Sequence, residues 1–539
     1  MSDHINDTTP PAVTRRDFMT TALAAGAGLT IVPRHVLGRG FQAPSDTLNI
    51  ATVGMGGMGG QNTRSLMSQN IVAAVDVDSA MLDAMLTRYQ TDLTRMQTPA
   101  SQPPGAPAAG APRRPDPTKA QRDANARRAP QNTADNLKRF IEQQAPKLQR
   151  YKDYREMLDK QKDVDAVVVA TPDHMHAAIA SAAMDLGKHV YVQKPLCWSV
   201  QEGRHLTQKA RDTKVVTQMG NQGHSMDGAR LGYEYITGGA IGDVREVHVW
   251  TNRPLGYWPQ GVPRPAPLPA NPQRPLRWNG PGVDARLANA MVGSYPIPES
   301  LSWDLFLGVA PALEYHPIYH PFNWRGWVDW GQGALGDMGA HLIDHPFWAL
   351  NLGYPTSIET LSTPFNGVCY PHATTTYYEF ASRGNTPAVK LTWYDGGLTP
   401  PKPVEIGDEK LNGEGGILYI GSKGKMLQDT YGLRPRLLPQ AAHEAYGAPQ
   451  HKLSRVAHEE HEMNWVEAIK GKAEISSPFE YAAQLTEVML LGIVSLRAGG
   501  KILYDGANRR VTNTIRSGDK VVDPNQYLSR DYRDGWKLT

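Results

Sequence analysis

The first part of the chain alternates short, β-rich apolar runs with longer amphipathic segments. Strands are predicted at residues 48–53, 71–75, 151–154, 164–170, 189–192 and 215–219. Helices are predicted between them, at residues 62–68, 79–95, 132–144, 174–186 and 199–213. Strands that alternate with helices of this length indicate an α/β fold built on a doubly wound parallel sheet.

Residues 98–131 interrupt this rhythm. The segment is rich in proline, alanine and arginine, and it carries no apolar period. We therefore predict an exposed, disordered insertion in the first domain.

The pattern changes after residue 222. Residues 244–250 alternate like a half-exposed strand, and a proline-rich loop is predicted at 262–281. These runs suit antiparallel pairing, so we expect a second, α+β domain with a largely antiparallel open sheet. Its other predicted elements are strands at 374–380, 388–393 and 416–420, and helices at 459–469 and 480–497 that brace it against the first domain.

Length and composition agree with two domains. The chain has 539 residues, too many for one ordinary core, and a net charge of +3 that is too small to indicate nucleic-acid binding. Two cysteines supply neither a metal cluster nor a disulfide framework, so no metal is expected. The predicted division is 1–43 for a signal and linker, 44–222 for the first domain and 223–539 for the second.

The N-terminal residues resemble a twin-arginine export signal. Arg15 and Arg16 are followed by Phe18 and by a weakly apolar run at residues 20–32, which is too short to span a membrane. The alternative is an ordinary flexible basic tail. An export signal predicts that the twin-arginine translocase is a partner and that the protein is periplasmic or otherwise exported. No membrane span is expected in the mature form. This route also suggests a cofactor inserted before export.

A glycine-rich turn directly follows the first predicted strand. Gly54 permits the tight turn, Gly56 lets the backbone approach a pyrophosphate, and Gly59 permits close helix packing. Gly57 and Met58 complete the turn, and the N–H groups at the start of the next helix suit a phosphate. The alternative is a glycine-rich turn that binds no ligand.

Asp76 ends the next predicted strand, where a dinucleotide site requires an acidic residue. Its carboxylate would accept hydrogen bonds from the adenosine ribose and repel a 2′-phosphate, and Val77 rather than an arginine follows it. The first domain is therefore predicted to be a Rossmann domain that binds NAD, with NADP less favoured.

Two further segments place polar residues where a pure core would not tolerate them. Lys194 follows a buried strand, at the sheet edge where ligands bind in open α/β sheets. Asp337 and His341 are four residues apart, so a helix places them on one face. Taken alone, these residues are also compatible with a surface lysine, a helix N-cap and a satisfied core histidine.

Over residues 46–535 the chain resembles the family of glucose–fructose oxidoreductase, inositol dehydrogenase and rhizopine-catabolism proteins (Gfo/Idh/MocA). The resemblance rests on the glycine turn, the Ala-Thr-Pro-Asp-His-Met-His sequence at 170–176, the lysine–proline motif and the Asp337/His341 helix. The segments 465–503 and 532–536 also resemble exported members.

The resemblance implies roles for these residues. His341 would be the general base that removes a hydroxyl proton, and Lys194 would hydrogen-bond the reacting oxygen. Asp337 would hold a neighbouring hydroxyl and orient the ring. The nicotinamide side of the site would be lined by Thr171, Pro172, His174, His176, Gln193, Asn221 and Gln222.

One position departs from the family motif. Gln193 stands where the family usually has glutamate before the lysine. Glutamine still forms hydrogen bonds, but it gives Lys194 no fixed negative neighbour. The departure leaves the direction and rate of hydride transfer open, although not the binding site.

Aromatic residues crowd the expected substrate side. Tyr257, Trp258 and Trp324 would cover the apolar C–H faces of a sugar, and Arg325 would supply polar contacts. At least half of the aromatic side chains in this region are expected to be ordinary core and loop packing.

These features predict an exported oxidoreductase. It would transfer hydride between a ring carbon of a sugar, cyclitol or glycoside and a tightly held nicotinamide cofactor. A first alternative is an NAD-dependent glycoside hydrolase that acts by transient ring oxidation, elimination and re-reduction; a second is a non-catalytic NAD-binding sugar sensor. A homo-oligomer is expected because exposed sheet faces of second domains often pair in this family.

Overall fold

The structure, a computed structural model, describes residues 47–97, 133–265 and 294–539. The predicted export signal, the predicted insertion at 98–131 and most of the predicted loop at 262–281 lie outside the described residues.

A six-stranded parallel sheet forms the first domain. It has the order β3-β2-β1-β4-β5-β6, and each neighbouring pair is parallel, which confirms the predicted doubly wound sheet. The order reverses between β1 and β4, so a ligand crevice is expected at their carboxyl ends. The strands are β1 (Asn49–Val53), β2 (Asn70–Val75), β3 (Gln149–Tyr151), β4 (Ala166–Val169), β5 (His189–Val192) and β6 (Thr217–Met219).

Several element boundaries in this domain differ from prediction, and two of them have a clear local cause. The first helix begins at Met58, inside the glycine turn, rather than at residue 62. The predicted strand at 151–154 ends at Tyr151 because the Asp153 carboxylate accepts the Arg155 N–H at 2.8 Å and caps a helix there. The helices are α1 (Met58–Ser65), α2 (Ser79–Gln97), α3 (Thr133–Arg139), α4 (Tyr154–Lys160), α5 (His176–Asp185) and α6 (Val200–Thr213).

The second domain is built on a nine-stranded sheet of order β13-β12-β11-β7-β10-β9-β8-β14-β15. Only the central β7–β10 pair is parallel among the pairs of this sheet, so the predicted largely antiparallel sheet is confirmed. The strands are β7 (Val244–Thr251), β8 (Ser357–Ser362), β9 (Thr374–Phe380), β10 (Val389–Tyr394), β11 (Gly415–Gly421), β12 (Lys425–Asp429), β13 (Arg436–Leu438), β14 (Ile502–Asp505) and β15 (Arg510–Val511).

One long helix joins the two sheets. The last helix packs on β8 of the second sheet and on α6 of the first domain, as predicted for a brace. It is long and apolar enough to cross a membrane, but 83% of its apolar window is buried inside the protein, so it is a core helix. The helices after the first domain are α7 (Asp227–Thr237), α8 (Trp303–Leu307), α9 (Gly333–Leu342), α10 (Asp344–Ala349), α11 (Gln440–Tyr446), α12 (His461–Ile469) and α13 (Phe479–Ala498).

Helix α12 packs on the first domain although it comes late in the chain. Trp465 and Val466 belong to the same buried apolar cluster as Ile50 and Tyr191 of the parallel sheet. The His461 imidazole lies 2.7 Å from the Met219 carbonyl at the end of β6. Residues around α12 therefore contribute to the core of the first domain from beyond the predicted boundary at residue 222.

Candidate functional site

A cavity of roughly 340 Å³ opens at the point where the strand order of the parallel sheet reverses. One wall carries the glycine turn and the strand-end loops of the first domain. The opposite wall carries residues of the second domain, among them Phe306, Trp324, Arg325 and Asp337. This is the position at which open α/β sheets bind ligands.

The glycine turn is built as the sequence predicts. Gly54 has a φ of +88°, and a Cβ at this position would lie 2.7 Å from the Ala170 carbonyl oxygen. A Cβ at Gly59 would lie 1.7 Å from the Gly54 carbonyl oxygen, so α1 packs against the turn only because both residues are glycine. Gly56, Gly57 and Met58 line the cavity, so the N-terminus of α1 faces it.

Asp76 lies beside this turn at the end of β2 and also lines the cavity. Its carboxylate accepts the N–H of Met55 at 2.8 Å and the N–H of Asp78 at 3.0 Å. Burial raises the pKa of Asp76 to about 6, although these hydrogen bonds act in the opposite direction. The group is ionised at neutral pH and is held where a ribose would lie.

Lys194 and Asp337 meet across the cavity from different domains. The Lys194 Nζ donates to the Asp337 Oδ1 and to the Asp337 carbonyl oxygen, both at 2.8 Å. The Arg253 Nε lies 3.6 Å from Oδ2, and the Arg325 Nε lies 4.0 Å from Oδ1. Burial alone would raise the pKa of Asp337, but Lys194 and Arg325 hold it at about 2.

His341 lies one helical turn after Asp337, as the spacing predicts, but outside the cavity lining. Burial and the nearby Lys194 charge lower its pKa well below the usual range, so the imidazole is neutral at pH 7. Its Nδ1 has no hydrogen-bond partner among the described residues. The ring packs edge-to-face against Tyr431 at a centroid distance of 4.8 Å. Sequence reasoning missed Tyr431, which follows β12 and carries no local signal.

Gln193, which stands where the family motif usually has glutamate, is linked by hydrogen bonds to the buried carboxylate of Glu462. Its Nε2 donates to Asn62 Oδ1 at 2.9 Å, and the Asn62 amide donates to Glu462 Oε1 at 2.6 Å. Gln193 lines the cavity, and its buried Oε1 has no partner among the described residues. Glu462 comes from α12 and was not found by sequence reasoning, since nothing near Gln193 in the chain indicates it.

Six of the predicted ligand-side residues have different surroundings from those expected. Thr171 and Pro172 line the cavity, but His174 and His176 do not. His174 lies 2.9 Å from the Phe306 carbonyl, and His176 lies 2.8 Å from the carbonyls of both Thr171 and Pro195. These contacts of the two histidines hold the strand-end loops in place around the cavity. The other four predicted ligand-side residues that lie outside the cavity lining are Asn221, Gln222, Tyr257 and Trp258.

Those four residues have structural partners. Asn221 donates to the buried Asp344 carboxylate at 3.0 Å, and Gln222 hydrogen-bonds Glu462. Trp258 is buried and donates its indole N–H to Gln260 at 2.8 Å. Tyr257 is exposed and stacks on the Arg253 guanidinium at 3.3 Å. Of the predicted substrate contacts, Trp324 and Arg325 therefore face the cavity, in accord with the expectation that many aromatic residues only pack.

Two family models match the chain. Residues 114–221 match the Gfo/Idh/MocA model described as an oxidoreductase family with an NAD-binding Rossmann fold. Residues 286–359 match the model described as the C-terminal alpha/beta domain of the same oxidoreductase family. The first range includes β3 to β6, and the second includes the helix that carries Asp337 and His341.

Curated relatives match over short segments. Levoglucosan dehydrogenase of Pseudarthrobacter phenanthrenivorans is 34% identical over 92 residues, which are 17% of this chain and 23% of the relative. The scyllo-inositol 2-dehydrogenase (NAD(+)) of Bacillus subtilis is 35% identical over 57 residues, 11% of this chain and 17% of the relative. An alpha-N-acetylgalactosaminidase of Shewanella oneidensis is 34% identical over 83 residues, 14% of this chain and 18% of the relative. The matched segments thus span less than a quarter of each relative.

Solved structures resemble most of the chain at low identity. The WlbA dehydrogenase from Bordetella pertussis, solved in complex with NADH and UDP-GlcNAcA, has a TM-score of 0.49 and 14% identity, over 85% of this chain and 99% of that one. Levoglucosan dehydrogenase in complex with NADH has a TM-score of 0.46 and 15% identity, over 84% of this chain and 98% of that one.

Asp76 is expected to set the choice between NADH and NADPH. We expect Asp76→Asn to reduce the preference for NADH about tenfold, because it removes the charge that repels a 2′-phosphate. In the unaltered protein the preference should also fall as the pH drops through about 6, where the Asp76 carboxyl becomes protonated. Fluorescence titrations with both cofactors between pH 5 and 8 measure the ratio of dissociation constants.

The Asp76→Asn protein lacks this carboxyl, so any pH dependence that remains in its cofactor preference comes from titration of the 2′-phosphate itself. Asp83→Asn, which changes an exposed aspartate of α2, is the matched control for the loss of a carboxylate. An unchanged preference in Asp76→Asn would contradict the assignment.

Proposed function

We propose that the chain is a member of the Gfo/Idh/MocA oxidoreductase family, whose models match residues 114–221 and 286–359, and that it transfers hydride between NAD and a ring carbon of a sugar, cyclitol or glycoside. The observation that carries this proposal is the Lys194–Asp337 pair, which faces the glycine turn and Asp76 across one cavity. The names of two relatives, a levoglucosan dehydrogenase and a scyllo-inositol dehydrogenase, support a cyclic polyol as the substrate class.

The residues of the cavity fit a dinucleotide. Apart from the adjoining chain, no heavy atom lies within 4 Å of a Cβ built at Gly57, so the backbone there is open to a pyrophosphate. Thr171 Oγ1 and Gln193 Oε1 are buried without partners among the described residues and belong to residues that line the cavity. Buried polar atoms are usually hydrogen-bonded, which suits the carboxamide and ribose of a nicotinamide nucleotide here. When bound, NAD supplies the hydride acceptor.

The protein's own groups would handle the proton and the developing charge. The Lys194 ammonium, held in place by Asp337, would donate a hydrogen bond to the substrate hydroxyl oxygen and stabilise it as the proton leaves. The neutral His341 imidazole would accept that proton as the C–O bond becomes a carbonyl. The second carboxylate oxygen of Asp337 would hold the adjacent hydroxyl and so select a vicinal diol.

Substitution of the two reacting groups tests this assignment. We expect Lys194→Met to lower kcat by about 10²–10³-fold because it removes the charge beside the reacting oxygen. His341→Asn should lower kcat by about 10²-fold because it removes the base. NADH affinity should change little in either variant. The measurement is NAD reduction with a panel of sugars and cyclitols, alongside direct NADH titration.

Lys425→Met is the matched control, since this lysine pairs with Glu405 at 2.7 Å and does not line the cavity. Full turnover in Lys194→Met and His341→Asn would show that the active site lies elsewhere.

Glycoside hydrolysis is the second candidate function. The observation that favours it is the match to an alpha-N-acetylgalactosaminidase and to glycosyl hydrolase family 109 proteins. Transient oxidation of a ring hydroxyl acidifies the neighbouring C–H, which permits elimination, water addition and re-reduction without net redox change. The purified protein incubated with aryl glycosides and no added acceptor should release aglycone if this candidate is correct; bleaching of bound NADH by free sugars without aglycone release would exclude it.

We also propose that the protein is exported in folded form by the twin-arginine translocase to the periplasm. The pattern of Arg15, Arg16 and Phe18 supports this location. Replacement of both arginines by lysine should leave a tagged full-length protein in the cytoplasm; unchanged export would contradict the proposal.

A homo-oligomer is proposed because Leu361 and Tyr377 are exposed on the outer face of the second sheet. Sedimentation of the purified protein measures its oligomeric state.

A further inference from the structure

The segment 530–539 lies along the adenosine side of the cavity, far from the glycine turn in sequence. Trp536 lines the cavity together with Lys152, Asp153 and Tyr154, which follow β3. The carbonyl of Tyr151 in β3 accepts the N–H of Asp76 at 3.1 Å. Because Asp76 is the proposed ribose acceptor, Trp536 stands beside the adenosine end of the site.

The segment is anchored to the second domain through Arg533. Its guanidinium donates to the carbonyls of Gly308 at 3.0 Å and Asp304 at 2.9 Å, and its N–H donates to the Val309 carbonyl at 3.2 Å. These carbonyls belong to α8 and the residues after it, and α8 contributes Phe306 to the cavity lining. Arg533 therefore holds the segment on the element that closes this side of the cavity.

Helix α8 is itself joined to the loop that follows Asp76. The Ser302 N–H donates to the Val77 carbonyl at 2.8 Å, and the Ser79 N–H donates to the Ser300 carbonyl at 3.1 Å. Residues 300–309 thus bridge the Asp76 loop and Arg533. A chain of hydrogen bonds therefore connects the 530–539 segment with the Asp76 loop.

The same segment is anchored to the first domain on both sides of Trp536. The Tyr532 hydroxyl donates to Glu202 Oε1 at 2.7 Å, at the start of α6. The Ser181 hydroxyl of α5 donates to the Thr539 carbonyl at 2.7 Å. Between these anchors the Trp536 ring is half-buried, with the Arg155 guanidinium 4.3 Å from its centroid. The indole is fixed in place by contacts that leave it at the cavity wall.

We propose that residues 530–539 form a strap that closes the adenosine end of the cavity, and that Trp536 packs against the adenosine of the bound dinucleotide. The inference rests on the proposed NAD site. An indole supplies a large apolar surface for a base, and its placement by Arg533 and Tyr532 limits the entropy lost on binding. Cofactor release then requires the strap to detach, which gives slow dissociation.

The test is the dissociation rate of NADH from the full-length protein, followed by stopped-flow fluorescence after displacement with excess NAD. We expect Trp536→Ala to accelerate dissociation roughly tenfold, the effect of losing one base–aromatic contact. Trp536→Phe should restore most of the retention, because it keeps an aromatic surface. Arg533→Gln should also accelerate dissociation, because it removes the guanidinium contacts of the strap to Gly308 and Asp304 while leaving Trp536 unchanged.

Leu538→Ala is the matched control, since Leu538 packs on the core from the same segment without lining the cavity. An unchanged rate in Trp536→Ala, or an equal acceleration in Leu538→Ala, would overturn the adenosine contact. Thermal unfolding of each variant separates a lost contact from a lost fold. If the unaltered protein binds no NADH at all, the cofactor assignment itself fails. If it binds NADH but Trp536→Ala leaves the dissociation rate unchanged, only the strap proposal fails.

Discussion

The geometry of the site depends on the charge pair between Lys194 and Asp337, which joins the two domains across the cavity. The lysine makes two 2.8 Å hydrogen bonds to the same residue, so its ammonium is fixed in direction as well as in position. The Asp337 carboxylate stays ionised at this depth because Lys194, Arg325 and Arg253 outweigh its loss of solvation. Lys194 belongs to the first domain and Asp337 to the second, so this contact fixes the two walls of the cavity relative to each other.

The features predicted correctly are those that one short stretch of chain determines. The strand before Gly54, the turn itself and Asp76 form a local unit, because the steric demands of the turn select glycine at Gly54 and Gly59. The Asp337 and His341 spacing is likewise local to one helix. That Lys194 donates to Asp337 could not be read from spacing; the family resemblance implied that both residues belong to one site but not that they contact each other.

The features that were missed depend on contacts between distant segments. Glu462 reaches Asn62 from α12, and Tyr431 covers His341 from a turn after β12, yet neither residue stands in a periodic pattern that marks a site. His174 and His176 show a further contribution of distant contacts. Their position in a family motif implies ligand contacts, whereas the structure places Nε2 of His174 and both ring nitrogens of His176 against backbone carbonyls of the loops around the cavity.

The packing of α12 on the first domain has a consequence for the order of assembly during synthesis. Residues 48–222 are made long before α12, but the buried cluster beneath β1 and β5 includes Trp465 and Val466, and the Gln193–Asn62 chain ends on Glu462. The nucleotide-binding half therefore has a gap in its own core until α12 has left the ribosome. Its cofactor pocket is completed only then, and a shortened chain that stops before α12 would expose that gap to chaperones and proteases.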